Sequence, residues 1–412
     1  MTQIITSLVY IPRGENKIYA YPPLPQDSPY MFDILSTLAF PDTESNPCYF
    51  VVPSNSPVQR MFGISMIYPS HCLVLLTNSL YFNPLSQLLK AYYPLFSHPS
   101  PQLLTSIYTS MNNSPLKPEP IIPPEILFSS IIKLMKLLLL PFKTVVYSSK
   151  PSDSSLSILF LMCSIPGVFV KPNGESNEAL GFPLQLDTTN HPIIPHFPGS
   201  LIDKIIGTEG YIIGTSNPIF SELTKDWDVV INLDTNKVSC QKEIQGVIAD
   251  TREDKLLILR MKEAYQRKNI ISIIQMIEWY YQGLLNTITP FAKKISIVSW
   301  NEIASTPASE YGMEFLKEWL AAPSFQEWKE HVVVDKALKF NIKHPGKTIN
   351  TSFGVYTSET IAAYITGDWM IKSAVKVDNL YKGLESYWKK EGDTTQTNEV
   401  EEQPIIINEK AC

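Results

Sequence analysis

The sequence predicts an α/β protein in two lobes: a lobe around an antiparallel sheet, then a mostly parallel sheet joined to a helical subdomain. Three observations predict this. Of the 33 prolines, 19 fall in the first 124 residues, so the chain changes texture there. Before that point short strand-like and helical runs follow one another as in an α+β unit. After it, apolar strands without polar alternation lie between apolar helices, the pattern of a parallel sheet covered on both faces. A chain of 412 residues is also too long for one small core.

The first lobe is read as residues 1–111. Strands at 4–10 and 17–21 flank Pro12-Arg13-Gly14-Glu15-Asn16, a hairpin turn signal. Residues 30–40 place Met31, Ile34, Leu35 and Leu38 at helical spacing. Extended runs follow at 48–52, 60–68 and 71–77, then helices at 85–96 and 102–111. Residues 112–124 are proline-rich, which denies helix and ladder bonds, and read as a linker.

The second lobe begins with an α/β unit at 125–245. A helix at 125–140, nearly all apolar apart from Lys133 and Lys136, needs cover on most sides. A strand at 144–148, a helix at 154–163 and a strand at 211–213 follow. A hairpin pairs 228–233 with 237–241 around Asp234-Thr235-Asn236. Residues 246–335 form a helical subdomain with helices at 253–266, 271–285, 309–321 and 325–331. The first carries Leu256, Leu257, Leu259, Arg260 and Met261 in a core-facing register. Residues 336–390 are a C-terminal extension with an amphipathic helix. Residues 391–412 are polar and acidic and read as disordered.

The formal charge of −6 argues against a nucleic-acid binder, which needs a concentrated basic face. Cys48, Cys72, Cys163, Cys240 and Cys412 are scattered and never paired in spacing, which fits reduced thiols rather than a disulfide frame or zinc site. The N-terminus has no basic region ahead of its apolar residues, so no secretory signal is read. The longest uncharged apolar run, 154–170, is broken by Pro166-Gly167 and is too short to span a bilayer. The expectation is a soluble cytoplasmic protein.

The stretch Tyr211-Ile212-Ile213-Gly214-Thr215-Ser216-Asn217, followed by Pro218-Ile219-Phe220, reads as a buried strand that ends at a glycine and opens into a polar turn. Open α/β sheets place their working loops at the carboxyl edge of such strands. The turn holds no Cys, His or carboxylate, so it points to recognition rather than bond-breaking. Gly214, Thr215, Asn217 and Pro218 are the candidate partner-binding residues, with packing as the alternative role. Gly207, Gly210 and Gly214 match neither the dinucleotide nor the Walker spacing and read as turn and close-packing glycines. His191 and His196 lie near Asp187, but prolines stiffen the chain between them and a metal needs three or four convergent ligands. No Gly-x-Ser-x-Gly elbow and no His-Glu-x-x-His is present. No catalytic residue, metal, cofactor or small-molecule substrate is expected.

Several segments, in collinear order, resemble the DENN-domain proteins of the late secretory pathway, the Avl-type branch. They are Tyr21-Pro22-Pro23-Leu24, Phe40-Pro41-Asp42, Phe62-Gly63-Ile64-Ser65, Met111-Asn112-Asn113-Ser114 and Val145-Val146-Tyr147-Ser148-Ser149. Ser164-Ile165-Pro166-Gly167, Gly181-Phe182-Pro183-Leu184, the 214–220 turn, Ala249-Asp250, Tyr311-Gly312 and Trp328 continue the series. The resemblance implies a bilobed module with a longin-like first lobe. It also implies guanine-nucleotide exchange on a Rab-type small GTPase in vesicle trafficking. The alternative is a non-catalytic scaffold of the same fold that holds a GTPase or trafficking partner. Within 360–390, Ile361, Ile365, Trp369, Val377, Leu380, Leu384 and Trp388 form one stripe beside five lysines. That stripe suits either peripheral contact with a Golgi, endosomal or vesicle membrane or, more plainly, packing back on the body.

Overall fold

The computed structural model describes residues 4–347 other than 15–16, 26–27, 44–46, 55–60, 98–99, 115, 117–118, 167, 169–174, 185, 188–190, 206, 223–226 and 293–298. The amphipathic stretch at 360–390 and the acidic tail lie outside the described residues.

Two five-stranded sheets organise the chain. The first holds β1 (Ile5–Pro12), β2 (Tyr19–Tyr21), β3 (Cys48–Val52), β4 (Met61–Ile67) and β5 (His71–Thr77) in the order β2-β1-β5-β4-β3, antiparallel throughout. Period-2 alternation sends its side chains to two apolar faces. Val9, Ile11, Phe50, Val74 and Leu76 meet α1 (Leu35–Ala39) on one face. Leu8, Phe62, Ile64, Leu73 and Leu75 meet α2 (Phe82–Tyr92) and α3 (Pro101–Asn113) on the other. Phe62-Gly63-Ile64-Ser65 is thus a buried stretch of β4. Within the proline-rich stretch that follows, Ile121 is buried and the Asn83 side chain donates to the Pro120 carbonyl at 2.7 Å.

The expected helix at 125–140 is two pieces. A 3-10 turn at Glu125–Ser129 ends at Ser130 (φ −129°), and α4 (Ile131–Leu137) starts afresh. The second sheet holds β6 (Lys143–Tyr147), β7 (Ile193–Ile194), β8 (Tyr211–Thr215), β9 (Val229–Asn232) and β10 (Lys237–Cys240) in the order β10-β9-β6-β8-β7. β6, β7, β8 and β9 run parallel, while β10 is an antiparallel edge strand whose side chains reach solvent. Cover on both faces therefore holds for the parallel strands and fails at that edge. Strand β7, two residues between Pro192 and Pro195, has too little pattern to be read from sequence.

Helix α5 (Pro151–Ser164) packs against β3 of the first sheet and β8 of the second. That explains its lack of a polar face, since most of its side chains are buried. Helices α6 (Glu175–Ala179), α7 (Ile219–Glu222) and α8 (Lys242–Val247) are short. The helical unit is α9 (Arg252–Gln266), α10 (Ile270–Ile288), α11 (Trp300–Ala304), α12 (Met313–Ala321), α13 (Pro323–His331) and α14 (Val334–Ala337). The single helix expected at 309–321 is split at Gly312, whose φ of +99° an L side chain rarely adopts. One apolar cluster runs from Ile5 through α4, α5 and α10 to Ala337.

The core-facing register expected of α9 is corrected. Leu257 and Met261 are buried, whereas Leu256 is 40% and Leu259 62% exposed. A helix shows the core one stripe of about 100°, and the leucines at 256 and 259 fall outside it.

Candidate functional site

In the second sheet the chain runs from β6 out to the edge at β7 and back to β8 on one side, then crosses to β9 on the other, so the strand order reverses around β6. Open α/β sheets bind ligands at the carboxyl ends of strands at such a reversal. The residues there are Ser148 and Ser149 after β6, Ser216 to Pro218 after β8 and Asp234 after β9. The Asp234 carboxylate accepts from the Ser148 hydroxyl at 2.7 Å and the Ser149 amide at 2.8 Å. The Ser148 amide donates to the Thr215 carbonyl at 3.1 Å. The three loops are thereby tied into one ledge.

The first unit reaches the same ledge through the segment after α1. The Gly199 amide donates to the Asp42 carboxylate at 3.0 Å, and the Thr43 hydroxyl donates to the Ser149 carbonyl at 3.2 Å. Leu201 packs against apolar clusters of both units. The carboxyl edge of the parallel sheet is therefore also a seam between the two sheets.

The four candidate residues differ in what they present. Gly214 is buried, and a Cβ there would collide with the Pro195 carbonyl and crowd Ile158. Thr215 is fully buried and its hydroxyl oxygen accepts from the Asn217 amide at 3.2 Å. Both set the shape of the turn. Asn217 is half-buried; its Oδ1 accepts from the Ile219 amide at 3.1 Å, and its amide nitrogen lies against Gly199. Pro218 is exposed, and Ile219 beside it is 48% exposed. Behind them Phe220 stacks on Trp227, and the Trp227 indole donates to the Phe220 carbonyl at 3.1 Å, anchoring the turn. The part of the ledge that reaches solvent is thus Asn217, Pro218 and Ile219 with Asp42, Ser149 and Asp234. Asp42, Ser149, Asp234 and Ile219 of this surface are not among the four sequence candidates. A signal exists for Asp234, which stands two residues after β9, a strand of the parallel sheet.

Of the other sequence candidates, Gly210 backs onto the Pro141 carbonyl, and Gly207 has open space around it. His196 is fully buried, and neither ring nitrogen has a hydrogen-bond partner among the described residues. Burial alone lowers its pKa to about 4. Asp187 accepts from the Ile193 amide at 3.0 Å. Among the described residues no group of three His, Cys, Asp or Glu side chains converges as a metal would require.

A second polar cluster lies deep in the helical unit. The buried Lys136 ammonium donates to Asp254 at 2.7 Å and to the Ala249 carbonyl at 2.8 Å. Asp254 also closes the capping box of α9 with Thr251 and meets His344 Nε2 at 3.2 Å. The Gly346 amide donates to His344 Nδ1, so the Nε2 nitrogen carries the proton toward Asp254. Burial pushes the Asp254 pKa up, but the His344, Lys136 and Thr251 contacts outweigh it and the carboxyl titrates below its ordinary value. Closed on every side by protein, this cluster fixes α4, α9 and the 340–347 strap to one another.

Residues 126–242 match a family model described as SPA, stabilization of polarity axis. No curated protein matches the chain. Among the described residues no helix is long and apolar enough to cross a membrane. The matched segment covers α4, the second sheet and the loops after β6, β8 and β9, whereas Asp42 and Thr43, which reach the ledge from the first unit, lie outside it. The match corrects the resemblance drawn from the sequence tags: the family found over this unit is SPA and not a DENN-domain family.

Proposed function

We infer that the chain is a recognition module that binds a Rab-type small GTPase across the seam and promotes release of its nucleotide during vesicle transport. The observation that carries this reading is the joining of two dissimilar sheets at one ledge, edged by exposed Pro218 and Ile219 over a rigid turn. In this reading the first unit is longin-like, supported by an antiparallel sheet with α1 on one face and α2 and α3 on the other. The two units then act as the two lobes of one body, working on the cytoplasmic side of the secretory pathway.

Exchange needs no nucleophile. It needs a surface that binds the nucleotide-free GTPase better than the loaded form, and by linkage protein and nucleotide then weaken each other equally. Coupling of about 4 kcal/mol would speed release roughly a thousandfold if it appeared wholly in the off-rate. Release of a fluorescent guanine nucleotide across a panel of Rab GTPases tests this. Acceleration by the parent protein, lost in Ile219→Asp with an unchanged melting temperature, is the expected result. No acceleration of any Rab overturns it.

A second reading is a scaffold that holds a GTPase or trafficking partner without releasing nucleotide. The description of the matched family, stabilization of polarity axis, favours it. Rab binding without acceleration selects it. Membrane contact through Trp369 and Trp388 belongs to either reading and is checked by flotation with anionic vesicles.

A further inference from the structure

Helix α9 and the strap after α14 concentrate positive charge on a chain whose formal charge is −6. From 252 to 268 the exposed or half-buried cations are Arg252, Lys255, Arg260, Lys262, Arg267 and Lys268. Glu263 falls between Leu256 and Leu259 in angle around the helix, and Arg267, its partner at 2.6 Å, offsets its charge. The one other acid of α9 that solvent reaches is the half-buried Glu253. Residues 336–347 add four exposed lysines and no acid.

The strap lies along α9. Arg260 donates to the Pro345 carbonyl, and Gly346 lies directly against the Glu253 backbone. At about 3.6 residues per turn, Glu253 and Arg260 share a flank roughly opposite Lys255 and Lys262. Lys343 and Lys347 follow that flank, Lys347 with Glu310 as its partner. Glu125, in the 3-10 turn packed on α9, adds one acid at the last turn of the helix, where burial and then its charge raise the Tyr265 pKa. Between the flanks Leu256 is 40% and Leu259 62% exposed, so the helix back is a ridge and not a groove.

An excess of cations selects an anionic partner, and the two leucines decide which kind. A nucleic-acid backbone meets cations and hydrogen-bond donors but gives protruding aliphatic side chains nothing to bury against. An acidic peptide needs charges placed in register, and this patch has its lysines and arginines spread over a helix and a strap. A bilayer with anionic headgroups uses every feature present. Leucines on a ridge enter the boundary between headgroups and acyl chains, while the cations around them stay with the lipid phosphates and carboxylates.

We propose that the α9 ridge, with the strap beside it, is a docking surface for an anionic membrane leaflet. The attraction requires an excess of positive charge over the patch and no particular pairing of residues. Salt screens the cations, and two leucines bury little area, so each signal alone gives weak attachment and the two act together. The docking stands independently of the GTPase reading, since no ledge residue takes part in it. Nucleotide release measured without vesicles therefore leaves it untouched.

The test is flotation of the full-length chain with phosphatidylcholine vesicles of which about a third of the lipid is phosphatidylserine. The expected result is binding that weakens as salt is raised and is absent on phosphatidylcholine alone. Lys255→Glu with Lys262→Glu and Lys343→Glu should lower the affinity at least about a hundredfold. Leu256→Ser with Leu259→Ser, at constant charge, should lower it about tenfold or more. All five side chains are exposed, so both variants should keep the parent's melting temperature. No binding by the parent overturns the proposal. Binding that neither variant weakens puts the membrane contact elsewhere in the chain and overturns it too. Loss in the charge variant with full retention in the leucine variant, or duplex DNA bound as tightly as the vesicles, marks a plain electrostatic surface and also overturns it.

Discussion

His196 makes the protein sensitive to mild acid, and the size of the effect follows from its surroundings. The imidazole is fully buried after β7 without a hydrogen-bond partner among the described residues, and its pKa falls from 6.5 to about 4. A His depressed in the native state is protonated more readily when unfolded. Stability from keeping it neutral is therefore present above pH 6.5, is lost as pH falls through that value, and stops falling below about 4. Between pH ~7.5 and pH ~5 the loss from this one residue is about 2 kcal/mol. Equilibrium urea unfolding at the two pH values measures it. The variants His196→Phe and His196→Leu should each lose about 2 kcal/mol less than the parent over the same interval, whatever their absolute stability. His191, lowered to about 4 by burial against a weaker backbone hydrogen bond, adds a comparable slope that remains in both variants. If the parent and the His196 variants share one pH slope, the buried neutral imidazole is refuted.

Three further outcomes follow from the packing. Lys136→Met keeps the aliphatic stem but strands Asp254, and should destabilise by about 3–5 kcal/mol in urea unfolding, the cost of breaking a buried ion pair from one side. Gly214→Ala drives a methyl into the Pro195 carbonyl and should lose about 1–3 kcal/mol or more, read as a fall in melting temperature. Asp42→Ala with Thr43→Val removes both hydrogen bonds from the first unit to the ledge; each neutral-to-modest contact being worth about 1 kcal/mol, the pair should cost no more than about 2 kcal/mol. The same variant should reduce nucleotide release far more than its stability loss explains if the seam is the binding surface.

Local chemistry made most of the elements legible. β5 occupies the run 71–77 read from its apolar residues, and the β9–β10 turn uses Asn236 at φ +55°, where asparagine is tolerated. Failures came where a tertiary demand overrides a local pattern. The stretch 125–140 is apolar enough for one helix, yet the chain bends at Ser130 to bring Phe128 and Ile131 into the same core. Leu256 and Leu259 read as core because they are leucines, and nothing local says that a helix face is left open. The ledge was half legible: a glycine ending a buried strand located the β8 turn, but strand order is not written in any single segment. Asp234 and Asp42 could join the site only once β9 was known to lie beside β6 and the chain after α1 beside Gly199. The family tags failed for a related reason. Short motifs such as Tyr-Pro-Pro-Leu record turns and packing that unrelated sheets also need, so their order alone did not identify the unit that the SPA model matches.

The two polar clusters divide the work of the molecule between rigidity and exposure. Lys136, Asp254 and His344 sit where solvent cannot reach, and their mutual hydrogen bonds make the helical unit and its C-terminal strap one piece. At the ledge, Asp42, Ser149 and Asp234 reach solvent, and the bonds that join the two sheets there are few and exposed. Exposed hydrogen bonds between neutral or singly charged groups contribute little net stability, so the surface loops of the ledge can yield where the buried cluster cannot, while α5, packed on β3 and β8, holds the two sheets together. Under the proposed exchange reading, a surface that fits a GTPase in two nucleotide states gains from that softness, provided the turn carrying Pro218 and Ile219 stays fixed. The Phe220–Trp227 stack and the Thr215–Asn217 hydrogen bond supply that fixity. Loosening the turn with Trp227→Ala should therefore harm partner binding more than removing the Asp42 contact does, and equal effects of the two on Rab affinity would place the recognition surface elsewhere.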